Sequence, residues 1–125
     1  MVIITNSPNS CVILRYKNLD LPGRGDIVAI DAEFVLVQHE ESILNANGSK
    51  VTVNEGRHAL ARVSVIDCRG GNVIIDDYVL PHEPVVDYLT RFSGIHPNDL
   101  DRVNSPHHLV TMRSAYLKLR LLLDR

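Results

Sequence analysis

Ile27-Val28-Ala29-Ile30-Asp31-Ala32-Glu33-Phe34-Val35 decides how this chain folds. The run is short, β-branched and aromatic, which favours a strand. Side chains on a strand alternate, so Asp31 and Glu33 share one face with Ile27, Ala29 and Val35. The opposite face carries Val28, Ile30, Ala32, Phe34 and Leu36. A strand apolar on both faces belongs in the middle of a covered sheet. An ionised carboxylate there is costly unless compensated, and two neighbouring ones also repel. A divalent cation would answer both problems. A solvated strand end, or pairing with an arginine such as Arg62, would answer them as well. Acid-x-acid spacing alone decides nothing, because 15 acidic residues in 125 give roughly one or two such pairs by chance.

Working outward, Pro22-Gly23-Arg24-Gly25 breaks the chain before this strand, which is expected over Asp26 to about Leu36. Upstream, Val2–Thr5 and Cys11–Tyr16 read as two short strands joined by a loop, within an approach segment of residues 1–25. Downstream, a polar loop from about Gln38 to Gly56 carries the turn signal Asn47-Gly48. A second strand is expected from about Ala59 to Asp67. The tight Arg69-Gly70-Gly71-Asn72 connection makes a third strand, Val73 to Val79, its antiparallel hairpin partner. The period then changes. Val85, Leu89 and Phe92 fall on one helical face, with Gly94 as the stop. Ser105-Pro106 reads as an N-cap followed by proline at the first helical position. Leu109, Met112, Tyr116, Leu119 and Leu123 would then form the apolar stripe of a long last helix. The expected fold is α/β: three antiparallel strands and two helices. The helix ends where a crossover into a parallel strand would begin, so the later parallel strands are expected to be missing and the fold truncated. The first strand's edge would then lie open, favouring poor solubility or dimerisation.

Composition fits one domain or part of one. A net charge of −2 gives no global electrostatic case for nucleic acid, and the lack of tryptophan argues against an aromatic stacking platform. Cys11 and Cys68 have neither metal-ligand nor disulfide spacing and fit a reducing compartment. No secretory leader or membrane-length apolar run stands out, so the chain reads as soluble and intracellular.

Other candidate groups read as structural. Asp76 and Asp77 point to opposite faces of their strand and cannot act as one clamp. His39, His58, His82, His96, His107 and His108 have no zinc-helix spacing and read as surface residues in loops or at helix starts. Arg113, Lys118, Arg120 and Arg125 lie off the predicted stripe and read as a solvated helix face, with a basic face toward RNA as the alternative. Ser64 and Ser93 lack any nucleophile motif.

The stretch Gly25 to Val35, with its Asp-Ala-Glu core, resembles the first exonuclease motif of the DEDD superfamily of 3′→5′ exonucleases. Leu60–Val65, Ile75–Val79, Pro97–Asp101, Tyr116–Arg120 and especially Val85-Val86-Asp87-Tyr88-Leu89-Thr90-Arg91-Phe92-Ser93-Gly94-Ile95 narrow this. They resemble the catalytic subunits of the PAN poly(A)-specific deadenylases, and argue against an oligoribonuclease or proofreading type. The resemblance covers residues 25–125 and implies a ribonuclease H-like fold, with residues 26–125 as the N-terminal part of an exonuclease domain. It implies that Asp31 and Glu33 are the first two of four acids holding two Mg²⁺ or Mn²⁺ ions, and that 5′-AMP is released stepwise from mRNA tails. It places the Ser93-Gly94-Ile95 loop near the terminal nucleotide. It also implies poly(A) RNA, a regulatory subunit of the deadenylase complex and poly(A)-binding protein as partners, and a cytoplasmic location. The segments that carry the family's third and fourth acids and its histidine are not found before Arg125. The chain alone is therefore expected to be inactive, or at most an RNA- or protein-binding module.

Overall fold

The computed structural model describes the backbone of Val2–Ser7, Ser10–Leu14 and residues 21–124, and the side chains of residues 21–124. The expected N-terminal pair is present as β1 (Val2–Ser7) and β2 (Ser10–Leu14), paired antiparallel; Tyr16 lies outside the described residues.

The organising element is a four-stranded sheet of β3 (Val28–Gln38), β6 (Arg57–Asp67), β7 (Val73–Leu80) and β8 (Leu109–Thr111), in that spatial order. The first three strands form the expected antiparallel meander. Between β3 and β6, the expected polar loop folds back on itself at its Asn47-Gly48 turn signal. It forms a two-stranded arm, β4 (Glu41–Leu44) and β5 (Lys50–Asn54). Its turn has Gly48 at φ 82° and the Asn47 Oδ1 accepting from the Ser49 N–H at 3.0 Å. Left-handed backbone of this kind favours glycine. Ile43, Val51 and Val53 on the arm remain exposed.

Two expectations fail, while β3, read as belonging inside a covered sheet, shows the open edge expected where later parallel strands are missing: among the described residues its strand neighbour is β6 alone. Among the described residues its other side is closed only at Leu36, whose N–H donates to Asp87 O (2.8 Å) while its carbonyl accepts from Val86 N (2.9 Å). The helix expected around Val85 to Phe92 shrinks to one turn, α1 (Thr90–Ser93). Pro81, Pro84 and the β-branched pair Val85-Val86 keep the approach extended, and Leu89 sits in the left-handed region at φ 50°. Finally, Ser105-Pro106 starts no helix. The Ser105 hydroxyl instead closes a turn, donating to Asp99 O (2.6 Å) and accepting from His107 N (3.1 Å). The chain then forms β8, parallel to β7 with Tyr78 opposite Leu109. One parallel strand is thus present where none was expected. The last helix, α2 (Met112–Leu123), begins only after Thr111, whose Oγ1 accepts from Ser114 N at 3.1 Å, an N-cap bond.

Helix α2 covers one face of the sheet, but with a stripe rotated from the expected one. Ala115, Lys118 and Leu122 are buried, with Leu119 packed beside them, whereas Met112, Tyr116 and Leu123 are exposed. They close over Val63, Val65, Ile75 and Val79. The small Ala115 allows close approach, and Lys118 lies inward because Asp77 meets it at 2.7 Å. A second cluster, Val35, Ala61, Ile95 and Leu100, closes one end of the other face. An extra residue in β6, where the pairing steps from Glu33–Arg62 to Phe34–Leu60, lets Ala61 join this cluster while Leu60 and Val63 both turn toward α2.

Candidate active-site face

Asp31 and Glu33 lie on the face opposite α2, as their spacing requires. Cross-strand pairing places Asp31 beside Ser64 and, beyond it, Asp76; Glu33 stands beside Arg62 and then Tyr78. Asp31 is exposed and Glu33 half-buried. The electrostatic problem posed by a dry central strand therefore does not arise here: water solvates Asp31, because neither a strand nor a helix covers this part of the face among the described residues. Roughly 7 Å of strand separates the two carboxylates, near enough to act together on a ligand.

Arg62 is the cation of this face, but it is committed elsewhere. Its Nε and Nη2 donate to the two oxygens of Asp76 at 2.8 and 3.1 Å. Asp76, above all, pushes the guanidinium pKa upward, with smaller upward contributions from Tyr78 and Glu33. Arg62, named as a possible partner of the Asp31/Glu33 pair, therefore forms no ion pair with either acid. Asp76 and Asp77 diverge as expected, one to Arg62 and the other to Lys118 on the far face.

The sequence did not single out the group that continues this face. The Arg62 guanidinium carbon lies 5.0 Å from the centre of the Tyr78 ring, a cation–π distance. The His107 ring stacks on Tyr78 with centres 3.7 Å apart and planes 5° from parallel. His107 Nε2 is 3.0 Å from Asp99 Oδ1. Asp99 in turn accepts from His96 N at 2.8 Å, the main cause of its lowered pKa; burial opposes this and His107 adds to it. His107 is therefore a half-buried packing residue rather than a surface one, and His58 lies on β6, not in a loop. The alternation of Tyr78 with Asp76 was the available signal. The stack itself required knowing that residues 97–107 fold over β7.

The other predicted residues do not converge on the acids. Ser93 is buried, donating to Tyr88 O (2.7 Å) and accepting from Ile95 N (2.9 Å), which fixes the Ser93-Gly94-Ile95 turn against Val35. Cys68 is a free, exposed thiol; the Cys11 side chain lies outside the described residues. Two cavities, of about 400 and 310 Å³, open around His82 and Glu83, and neither is lined by Asp31 or Glu33. No described helix is long and apolar enough to cross a membrane.

Asp31 and Glu33 are oxygen donors of the kind Mg²⁺ and Mn²⁺ prefer. Among the described residues no group of three or more metal-ligating side chains comes together. The pair fits such an ion in chemistry but supplies only part of a ligand set.

No protein-family profile matches the chain. It is 52% identical over 118 residues to the PAN2–PAN3 deadenylation complex catalytic subunit PAN2 of Cryptococcus neoformans, covering 90% of this chain and 10% of that protein. It is 45% identical over 108 residues to the human subunit of the same name, covering 84% of this chain and 9% of that protein. Among solved structures, the Neurospora crassa Pan2 catalytic unit, comprising protease and nuclease domains, aligns with a TM-score of 0.64 at 37% identity, over 87% of this chain and 16% of that one. The Saccharomyces cerevisiae Pan2 pseudoubiquitin hydrolase–RNA exonuclease module in complex with A7 RNA aligns with a TM-score of 0.68 at 37% identity, over 87% and 17%. The chain spans about a tenth of the length of the PAN2 proteins it matches. Over most of its own length it is thus a homologue of a segment of PAN2.

Proposed function

We propose that this chain supplies the first two metal-binding carboxylates, Asp31 and Glu33, of a 3′→5′ exoribonuclease that shortens mRNA poly(A) tails. Residues 26–125 would be the N-terminal part of a ribonuclease H-like exonuclease domain and residues 1–25 its approach. The observation that carries this is the placement of two carboxylates side by side on a solvated sheet face, in a chain homologous to PAN2. Neither acid has an ion-pair partner among the described residues; the Arg62 guanidinium is held by Asp76. Mg²⁺ or Mn²⁺ at these oxygens would supply Lewis-acid stabilisation and an activated water. The chain's own contribution is to fix the two carboxylates on one face of β3 and keep Arg62 from closing over them. The Ser93-Gly94-Ile95 turn, buried against Val35 on the same face, would lie near the end of the RNA. Poly(A) RNA, the second subunit named with PAN2 and poly(A)-binding protein are the proposed partners, in the cytoplasm.

With two carboxylates and no third ligand beside them among the described residues, the chain by itself should release no AMP from poly(A). The test exchanges the matching segment of Cryptococcus neoformans PAN2 for residues 21–124 of this chain and follows AMP release from labelled poly(A) with Mg²⁺. The graft should be active, and Asp31→Ala or Glu33→Ala should each reduce it to background. A folded but inactive graft, or activity that survives Asp31→Ala, would overturn the proposal.

A further inference from the structure

We infer that Asp76 is a positioning residue for metal binding: it draws Arg62 off Glu33 and so leaves the Glu33 carboxylate open to a divalent cation. The inference rests on the metal-binding role proposed for Asp31 and Glu33. Arg62 has two acids within reach. Glu33 is its direct cross-strand neighbour on β3. Asp76 is only a diagonal neighbour on β7, since Arg62 pairs with Tyr78 and Ser64 with Asp76. Directly opposed side chains are the closer pair in a sheet, and diagonal ones are reached only by long side chains. The guanidinium nevertheless takes the diagonal acid. Its Nε and Nη2 donate to the two Asp76 oxygens at 2.8 and 3.1 Å, and it forms no ion pair with Glu33.

Contacts on the β7 side favour that choice. The Asp76 oxygens accept a two-pronged fork from Arg62, a strong and directional geometry, and Ser64 Oγ adds a longer donor contact to Asp76 Oδ1 at 3.5 Å. The Tyr78 ring, its centre 5.0 Å from the guanidinium carbon, offers a face on the same strand as Asp76. That ring is itself held. His107 stacks on it at 3.7 Å, and His107 Nε2 is 3.0 Å from Asp99 Oδ1. A line of contacts from Asp99 through His107 and Tyr78 thus keeps Arg62 over β7. The consequence lies at Glu33. An arginine fork on a carboxylate engages both oxygens, the same atoms a hard cation requires. With Arg62 on Glu33, a cation would have to displace it. With Arg62 on Asp76, the face presents two free carboxylates beside a neutralised pair.

A double-mutant cycle on the chain itself, without metal, reads where Arg62 sits. Urea unfolding of Glu33→Gln, Arg62→Gln and the double variant should show no coupling between the two positions while Asp76 is present. In an Asp76→Ala background the same cycle should show a favourable coupling of roughly two- to fivefold in the unfolding equilibrium constant, the strength of an exposed ion pair. In the PAN2 graft, Mn²⁺ binding measured by titration calorimetry without RNA should weaken by a similar factor, roughly two- to fivefold, on Asp76→Ala. Adding Arg62→Gln should restore it. Circular dichroism confirms that each variant stays folded. No coupling after Asp76→Ala, Mn²⁺ binding unchanged by it, or a loss that Arg62→Gln does not restore would each overturn the inference alone. The last result would make Asp76 a direct contributor to the site. Mn²⁺ binding indifferent to Glu33→Ala would instead overturn the metal role of the acids, and the inference with it.

Discussion

Asp76 and Asp77 are adjacent and chemically identical, yet they occupy opposite faces of one sheet, and the two faces are built differently. Behind Asp77, α2 seals a core in which a lysine and a carboxylate are both largely withdrawn from water, with side-chain exposures of 9% and 14%. Around Asp76 the face is open: its pairing with Arg62 is about two-fifths exposed, and Asp31 beside it is solvated. The closed face holds charge for the sake of packing. The open face holds charge that remains available. Breaking the Asp77 pair should therefore cost far more than any change on the open side. Asp77→Ala leaves Lys118 buried without its partner and should destabilise the chain by about 3–5 kcal/mol, read from urea unfolding by far-UV circular dichroism. Replacing both residues, Asp77→Leu with Lys118→Met, should recover most of that loss, because the apolar pair restores a continuous core. A single-variant loss no larger than that of an exposed pair would erase the distinction between the faces.

Between these extremes stands Asp99, which ties the segment after α1 to Tyr78 through His107. Its carboxylate is held below the ordinary aspartate range, first by the His96 N–H and then by His107. A lowered native pKa contributes stability that is complete above the unfolded value and lost as pH falls through the native one. Unfolding free energy should thus begin to drop as pH enters the ordinary aspartate range near about 4, and continue to drop below it. Asp99→Ala should cost about 1.5 kcal/mol at neutral pH and flatten this acid limb. An unchanged limb in the variant would show that Asp99 is not what holds the segment. Smaller still is the Arg62–Asp76 pair. Although bidentate, it is exposed enough that Asp76→Ala should cost about 0.5–1 kcal/mol. A loss comparable to that of Asp77→Ala would mean that the open face is closed in solution.

The difference between the faces also explains which features the sequence announced. β3, β6 and β7 were legible because their alternation and tight Arg69–Asn72 turn are local signals. Asp31 and Glu33 were legible as a same-face pair for the same reason. What is set by distant partners was not. β8 is three residues long, and its apolar Leu109 and Val110 fit a helical stripe as well as a strand; only β7 alongside decides the matter. Lys118 read as a solvated residue because nothing local reveals that Asp77, 41 positions earlier, waits beneath the helix. Its spacing from Ala115 and Leu122 was the available clue, since the three fall on one helical face. β3 read as central because both of its faces are apolar; its open edge, where Ile30 and Phe34 stay half in water, is the one expected where later parallel strands are missing.

The smallest expected effect is the one most diagnostic of the open face. Asp31 makes no hydrogen bond or ion pair among the described residues, and its nearest charge along the strand is the like-signed Glu33. Replacing it with asparagine removes no stabilising contact and relieves a repulsion. Asp31→Asn should therefore change unfolding free energy by no more than about 0.5 kcal/mol, the range of ordinary surface substitutions. The same substitution in the grafted PAN2 protein should abolish AMP release. A residue dispensable for folding and required for turnover is held in place for its chemistry. If Asp31→Asn instead destabilised the chain as strongly as Asp77→Ala, the carboxylate would be a structural group, and the two faces of the sheet would differ in exposure but not in purpose.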